Sequence, residues 1–139
     1  MSDHVLVVDD NRDAADTIAG LVESCGCTVK AVYSGDEAIR ETATFLPDMV
    51  LLDLAMPGLD GFETVASIRR KRPAVEIVVV AVTAFDSDEH KRRAYESGFD
   101  LYVTKPLGVK KLRELLGLLD PSIGSKQLPD ADNDEPIVS

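Results

Sequence analysis

Short apolar runs alternate along the chain with longer segments in which apolar residues recur every three or four positions. The runs lie at residues 5–8, 28–32, 49–52, 76–82 and 100–104, and most are rich in Val, Ile and Leu. Runs of this length, bounded by Gly, Pro or Asp, are typical of strands buried on both faces of a parallel sheet. Five strands are therefore predicted.

The segments between the runs carry the helical period. Residues 12–25 place an apolar stripe on one face, and Gly26 ends it. Similar signals predict four more helices, at residues 34–45, 62–72, 88–98 and 108–119. Ser87 is a predicted N-cap, with acidic residues in the turn that follows it. Strands that alternate with helices predict an α/β fold, a doubly wound five-stranded parallel sheet with helices on both faces.

Polar residues follow four of the strands at the point where each strand ends. Asp9 and Asp10 follow the first run, Asp53 the third, Thr83 the fourth and Lys105 the fifth. The carboxyl ends of parallel strands meet at one edge of the sheet, where open α/β sheets bind their ligands. Three carboxylates gathered there repel one another, so a cation is expected among them.

This set of side chains suits phosphoryl chemistry. Carboxylates bind a divalent cation such as Mg²⁺ or Mn²⁺, while an ammonium and a hydroxyl bind phosphoryl oxygens. Once a metal neutralises the site, one carboxylate can attack a phosphoryl donor and become an aspartyl phosphate. Asp53 is the predicted nucleophile because it stands alone at its strand end, while Asp9 and Asp10 can share the metal.

Each of these residues also has a simpler interpretation. Asp9 and Asp10 could cap the first helix, Asp53 could shape a turn, Thr83 could be an N-cap and Lys105 a solvated surface charge. Their joint placement at successive strand ends favours the functional interpretation.

Composition narrows the class of protein. The net charge is −10 and the pI about 4.5, which argues against direct nucleic-acid binding. No apolar run approaches the roughly 20 residues that a membrane helix needs, and no signal peptide is recognised, so a cytoplasmic location is expected. Cys25 and Cys27 fit a reducing compartment better than a metal or redox site.

Residues 120–139 are rich in Pro and Asp without periodicity, and are predicted to be a disordered acidic tail after a domain at 1–119.

The chain resembles the receiver domains of response regulators, which accept phosphate from histidine kinases. The resemblance spans roughly residues 4–119 and rests on four motifs in the family's order and spacing, namely VVDDN (7–11), LLDLAMPGLDG (51–61), AVTAF (81–85) and YVTKP (102–106). It implies the flavodoxin-like strand order 2-1-3-4-5.

The resemblance also implies a role for each matching position. Asp53 is the expected phosphoacceptor, and Asp10, Asp53 and the backbone carbonyl of Ala55 are the expected direct metal ligands, with Asp9 acting through water. Lys105 and Thr83 are expected to hold phosphoryl oxygens, and Tyr102 to change rotamer with Thr83 on activation. The Lys105–Pro106 bond is expected to be cis. A histidine kinase or histidine phosphotransferase is the expected donor, and an output protein the expected reader of the face formed by the fourth helix, fifth strand and fifth helix.

Two positions depart from common receiver patterns. Ala55 and Phe85 replace residues that are often polar, so autodephosphorylation is expected to be slow. No other enzymatic activity is expected of a receiver. The segment from Arg93 through AYESGFDLYVTKP resembles receivers of hybrid histidine kinases, so a stand-alone regulator, a phosphorelay intermediate and a hybrid-kinase fragment all stay open.

Two other classes of protein can be weighed against a receiver. A flavodoxin-like FMN-binding module would need a loop rich in hydroxyl residues and Gly after the first strand, where this chain has Asp9, Asp10 and Asn11, which repel phosphate. A haloacid-dehalogenase-type phosphatase would need an Asp at position 55, where this chain has Ala.

Overall fold

The computed structural model describes residues 3–73, 76–125 and 136–138, the last of these as backbone. The strands are β1 (His4–Val8), β2 (Thr28–Val32), β3 (Met49–Leu52), β4 (Val78–Thr83), β5 (Leu101–Thr104), β6 (Leu107–Gly108) and β7 (Pro136–Val138). The helices are α1 (Arg12–Ser24), α2 (Gly35–Thr44), α3 (Gly61–Lys71), α4 (Asp88–Ser97), α5 (Val109–Leu116) and α6 (Pro121–Ser125).

The main sheet confirms the predicted topology. Its five strands are all parallel, in the order β2-β1-β3-β4-β5. The register pairs Val8 of β1 with Leu52 of β3, so the residues that follow these two strands leave the sheet side by side. The Lys105–Pro106 bond is cis, as expected.

Helices cover both faces of this sheet because strand side chains alternate between them. In β3, Met49 and Leu51 belong to the apolar cluster under α1 and α5, while Val50 and Leu52 belong to the cluster under α2, α3 and α4. All four β3 side chains are buried, as a central strand of a doubly wound sheet requires. Within the described ranges, no helix has the length and apolar content to cross a bilayer.

Short polar side chains fix where the helices begin. Asn11, Ser34, Asp60 and Ser87 each accept a hydrogen bond from a backbone N–H in the first turn of the helix that follows. Ser87 was predicted in this role. Because Asn11 caps α1, the alternative in which Asp9 or Asp10 caps it does not apply.

Arg69 of α3 fastens the beginnings of β4 and β5. Its guanidinium donates to Ile77 O at 2.8 Å, to Gly98 O at 2.8 and 3.1 Å, and to Asp100 Oδ2 at 2.8 Å. The same Asp100 oxygen accepts from Val79 N at 2.8 Å. The strands begin at Val78 and Leu101, slightly later than the predicted positions 76 and 100, and the carbonyls of Ile77 and Gly98 shortly before them bind Arg69.

The C-terminal part corrects the predicted disordered tail in two segments. The fifth helix ends at Leu116 instead of residue 119, and α6 follows at Pro121–Ser125. Ile123 is 3% exposed and packs in the α1/α5 cluster, so this short segment has an apolar anchor that its polar composition concealed. β7 pairs antiparallel with β6. Residues 126–135, also predicted to be disordered, lie outside the described residues.

Candidate functional site

Three carboxylates meet at the carboxyl edge of the sheet, as predicted. Asp9 and Asp10 follow β1, Asp53 follows β3, and one carboxylate oxygen of each lies within 4.8 Å of the others. Asp9 and Asp53 are 4% and 8% exposed, whereas Asp10 is open to solvent. The adjacent positions of β1 and β3 in the sheet bring the acids together.

Lys105 supplies the cation. Its Nζ lies 2.7 Å from Asp9 Oδ2 and 3.2 Å from Asp53 Oδ2, and its side chain is 12% exposed. The second oxygen of each partner accepts a backbone hydrogen bond, from Asn11 N at 3.0 Å to Asp9 and from Ala55 N at 3.1 Å to Asp53. Both buried carboxylates are therefore held in one orientation by an ammonium and an amide.

Thr83 and Tyr102 border this cluster on the β4 and β5 side. Thr83 is fully buried at the end of β4, and its hydroxyl accepts a hydrogen bond from Phe85 N at 3.4 Å. The Tyr102 hydroxyl donates to Phe85 O at 2.6 Å. One loop residue thus joins the two predicted switch residues, so a shift of the loop after β4 reaches both.

The environment perturbs the pKa values of the two central groups. Burial raises the pKa of Asp53 above its ordinary value, and the nearby Asp9 adds to this, although Lys105 and the Ala55 amide oppose it. Burial opposes the charge of Lys105, yet its hydrogen bond to Asp9 and the charge of Asp53 leave its pKa raised. The attraction between Asp53 and Lys105 therefore offsets part of the cost of burying the two charges.

We expect Asp53→Asn to increase the free energy of unfolding at neutral pH. A carboxyl whose pKa is raised on folding binds more protons in the folded state, so stability falls as pH rises from the ordinary Asp value, about 3.9, through the raised one. An amide escapes this loss, and Lys105 keeps Asp9 as its partner. Urea unfolding of both proteins from acid to neutral pH measures the difference, which should vanish on the acid side. If the parent and Asp53→Asn are equally stable at neutral pH, the attraction of Lys105 offsets the whole cost of burying the Asp53 charge.

The acid cluster fits a divalent metal. Carboxylate oxygens are the donors that Mg²⁺ and Mn²⁺ prefer, and three that lie within 4.8 Å of one another could bind a single ion. Asp10 has no hydrogen bond or ion pair to the described part of the chain, so its oxygens are free for a cation. Ala55, predicted to contribute its carbonyl, lies exposed two residues beyond Asp53.

Two residues around the site had no predicted role. Asn11 caps α1 and donates its backbone N–H to Asp9. Gly61 begins α3 against the backbone of Asp53 and Leu54, where a Cβ atom would lie 2.6 Å from Leu54 Cα. The role of Asn11 could have been predicted, because Asn is a common N-cap and this one stands directly before the first helix. The contact at Gly61 could not, because it depends on how the loop after β3 folds back.

Comparison with known proteins agrees with this geometry. The family described as response regulator receiver domain matches residues 5–117. An uncharacterized 14.6 kDa protein encoded in the sodA1 3′ region of Leptolyngbya boryana is 33% identical over 112 residues, which are 81% of this chain and 86% of that protein.

Solved structures give the same result. The receiver domain of the Francisella response regulator 1452 is 32% identical, with a TM-score of 0.76 and coverage of 85% of this chain and 96% of that one. The Vibrio cholerae chemotaxis protein CheY4 shares the fold, with a TM-score of 0.80 at 24% identity and coverage of 85% and 98%. The chain therefore belongs to the response regulator receiver family of two-component signalling proteins.

Proposed function

We propose that this receiver takes a phosphoryl group from a phosphohistidine onto Asp53, with Mg²⁺ or Mn²⁺, and presents its phosphorylated state to an output protein. The observation that carries the proposal is the buried Asp53 carboxylate, held by Lys105 and lying beside Asp9 and Asp10. The same chemistry applies to a stand-alone regulator, a phosphorelay intermediate or a module of a hybrid histidine kinase. A cytoplasmic location agrees with the free thiols of Cys25 and Cys27.

Transfer is a substitution at phosphorus. An Asp53 oxygen forms the new P–O bond while the P–N bond to the donor imidazole breaks, and the leaving nitrogen regains its lone pair. Lys105 can follow the charge from the carboxylate to the phosphoryl oxygens, and the Thr83 hydroxyl can donate to one of them. A bound divalent cation would supply positive charge to the acid cluster and the incoming group. The donor is a histidine kinase or a histidine phosphotransferase, and the chain itself turns over no substrate.

Asp10 should matter more than Asp9 for metal affinity. Asp9 already binds Lys105 and Asn11 N, whereas Asp10 is exposed and has no hydrogen bond or ion pair to any described residue. We expect Asp10→Ala to weaken binding of Mg²⁺ or Mn²⁺ more than Asp9→Ala in calorimetric titrations. Chelation of the metal should halt phosphorylation, because carboxylates and an incoming anion then repel one another. Equal metal affinities in the two variants would refute the ranking.

The phosphorylated state should be read on the α4, β5 and α5 face. Movement of Thr83 toward a phosphoryl group would break its hydrogen bond with Phe85 N and free the backbone of Phe85 to shift. The carbonyl of the same residue accepts the hydrogen bond of the Tyr102 hydroxyl, so this shift would weaken the bond that holds Tyr102. Tyr102 can then change rotamer and repack this surface, where the output protein binds.

The acyl phosphate should be long-lived. Hydrolysis needs a water held in line with phosphorus, and the side chains of Ala55 and Phe85 cannot hold one by hydrogen bonds; Phe85 stacks on His90, with ring centroids 4.4 Å apart. We expect Ala55→Asn combined with Phe85→Glu to speed loss of phosphate at least several-fold in a decay assay. Ala55→Val combined with Phe85→Leu, which changes size without adding a polar group, is the matched control. A polar double variant that decays no faster than the parent would contradict this account.

Phosphotransfer profiling tests the proposed function directly. The purified chain is mixed with each labelled histidine kinase and phosphotransferase of the same cell, with Mg²⁺ or with chelator. One donor should transfer its label within seconds to minutes in the samples with Mg²⁺, and no donor should do so in the samples with chelator. Failure of every donor, together with failure of acetyl phosphate, would exclude the proposal.

A further inference from the structure

A cleft lies between the C-terminal half of α2 and the C-terminal end of α3. Its volume is about 410 Å³, and it is lined by Ile39, Arg40, Thr42, Ala43, Lys71 and Arg72. Both helices run antiparallel to the strands, so their C-terminal ends lie at the edge where the strands begin. Asp53 lies at the opposite edge, and the cleft is therefore separate from the phosphorylation site.

The cleft gathers cations that lack partners. In the part of the chain that the structure describes, Arg40, Lys71 and Arg72 make no ion pair or hydrogen bond through their side chains. Among the described residues, the Nε atoms of Arg72 and Arg113 are buried without a hydrogen-bond acceptor, and of the two only Arg72 lines this cleft. By contrast, Arg69 of α3 donates from all three of its guanidinium nitrogens, to two carbonyls and Asp100. None of the described residues that line the cleft is acidic.

Helix stability alone does not explain this arrangement. Cations near the end of α3 interact favourably with the helix dipole, and this accounts for Lys71 and Arg72 as charges. The helix dipole does not account for the buried Nε–H of Arg72, because a donor that loses its hydration without gaining an acceptor destabilises the folded chain. Nor does it explain why Arg40 of α2 lines the same cleft from the other side.

We propose that this cleft binds a small molecule that carries two or more phosphate groups. Planar guanidinium groups pair with phosphate oxygens through two hydrogen bonds, and the ammonium of Lys71 adds a third charge. The volume is in the range of small-molecule sites, and Ile39 and Ala43 give one wall an apolar surface for the rest of the ligand. The described parts of the acidic tail are not the occupant, since Ile123 packs in the cluster on the opposite face of the sheet.

Calorimetric titration of the full chain with inorganic pyrophosphate, and separately with ADP, tests the proposal. Chelator is present throughout, so that the acid cluster repels added anions. We expect saturable 1:1 binding that weakens by roughly tenfold or more in Arg72→Leu and in Arg40→Ala. Arg70→Ala is the matched control, because Arg70 is an exposed α3 cation outside the cleft. Asp53→Asn controls for binding at the phosphorylation site.

A second measurement reports on the site itself. In ¹H–¹⁵N spectra the guanidinium resonances of Arg72 should shift on titration, because the side chain must turn to bring its donors to the ligand, and Arg72→Lys should bind more weakly despite its retained charge. Tighter binding of ADP than of pyrophosphate would assign the apolar wall to the nucleoside; equal binding would limit recognition to the phosphates. The proposal is overturned by the absence of saturable binding at millimolar ligand, or by equal losses in Arg70→Ala and Arg72→Leu.

Discussion

Asp53→Asn is expected to abolish phosphorylation. Incubation of the parent with acetyl phosphate and Mg²⁺ should add one phosphoryl group per chain, and the variant should gain none. The amide has nearly the same shape and can still accept the hydrogen bond from Ala55 N, but it is a poor nucleophile and cannot bind the metal as an anion. Intact-protein mass spectrometry measures the gain.

The matched control for this substitution is Asp60→Asn. Asp60 belongs to the same segment between β3 and α3, where its side chain accepts from Glu63 N at 2.9 Å as the N-cap of α3. Asn caps helices about as well as Asp, so folding should be unaffected. This variant should be labelled like the parent. Undiminished labelling of Asp53→Asn would assign the acceptor to another residue.

Gly61→Ala should destabilise the protein and impair phosphorylation together. A Cβ atom at this position would overlap the backbone of Asp53 and Leu54, lying 2.6 Å from Leu54 Cα. Backbone cannot yield as a flexible side chain can, so the start of α3 or the end of β3 must shift. Overpacking of this kind costs about 1–3 kcal/mol. The same shift would displace the Asp53 carboxylate from Lys105.

Urea unfolding and acetyl phosphate labelling of the same samples measure both effects. Gly20→Ala is the control, because nothing lies within 4 Å of a Cβ atom there and alanine favours the α1 helix by up to about 1 kcal/mol. It should be as stable as the parent or more so, and label normally. If Gly61→Ala unfolds at the parent's urea concentration, the close approach at α3 does not limit the structure.

The sequence was most informative where local pattern and topology act together. Apolar runs gave the strands, and the parallel sheet then required that the residues after β1, β3 and β5 meet at one edge. This is why the cluster of Asp9, Asp53 and Lys105 was predictable although Asp9 and Lys105 are 96 positions apart.

The features that the sequence did not reveal depend on contacts specified by neither periodicity nor a motif. α6 is anchored by a single apolar side chain, Ile123, within a polar segment. Arg69 is one of several cations at the end of α3 in the sequence, and only the folded chain distinguishes it from Arg72, whose Nε has no acceptor among the described residues. Long-range partners decide both cases.

The strand order divides the site by local stability. β1, β3 and β4 are interior strands with neighbours on both sides, and they carry Asp9, Asp53 and Thr83. β5 is an edge strand whose four residues are only partly buried, and it carries Tyr102 and leads into Lys105. Edge elements open at lower free-energy cost than interior ones. The fold therefore places its anionic groups and its hydroxyl at interior strands of the sheet, and its cation and its aromatic ring at one of the two edge strands, which are expected to open more readily.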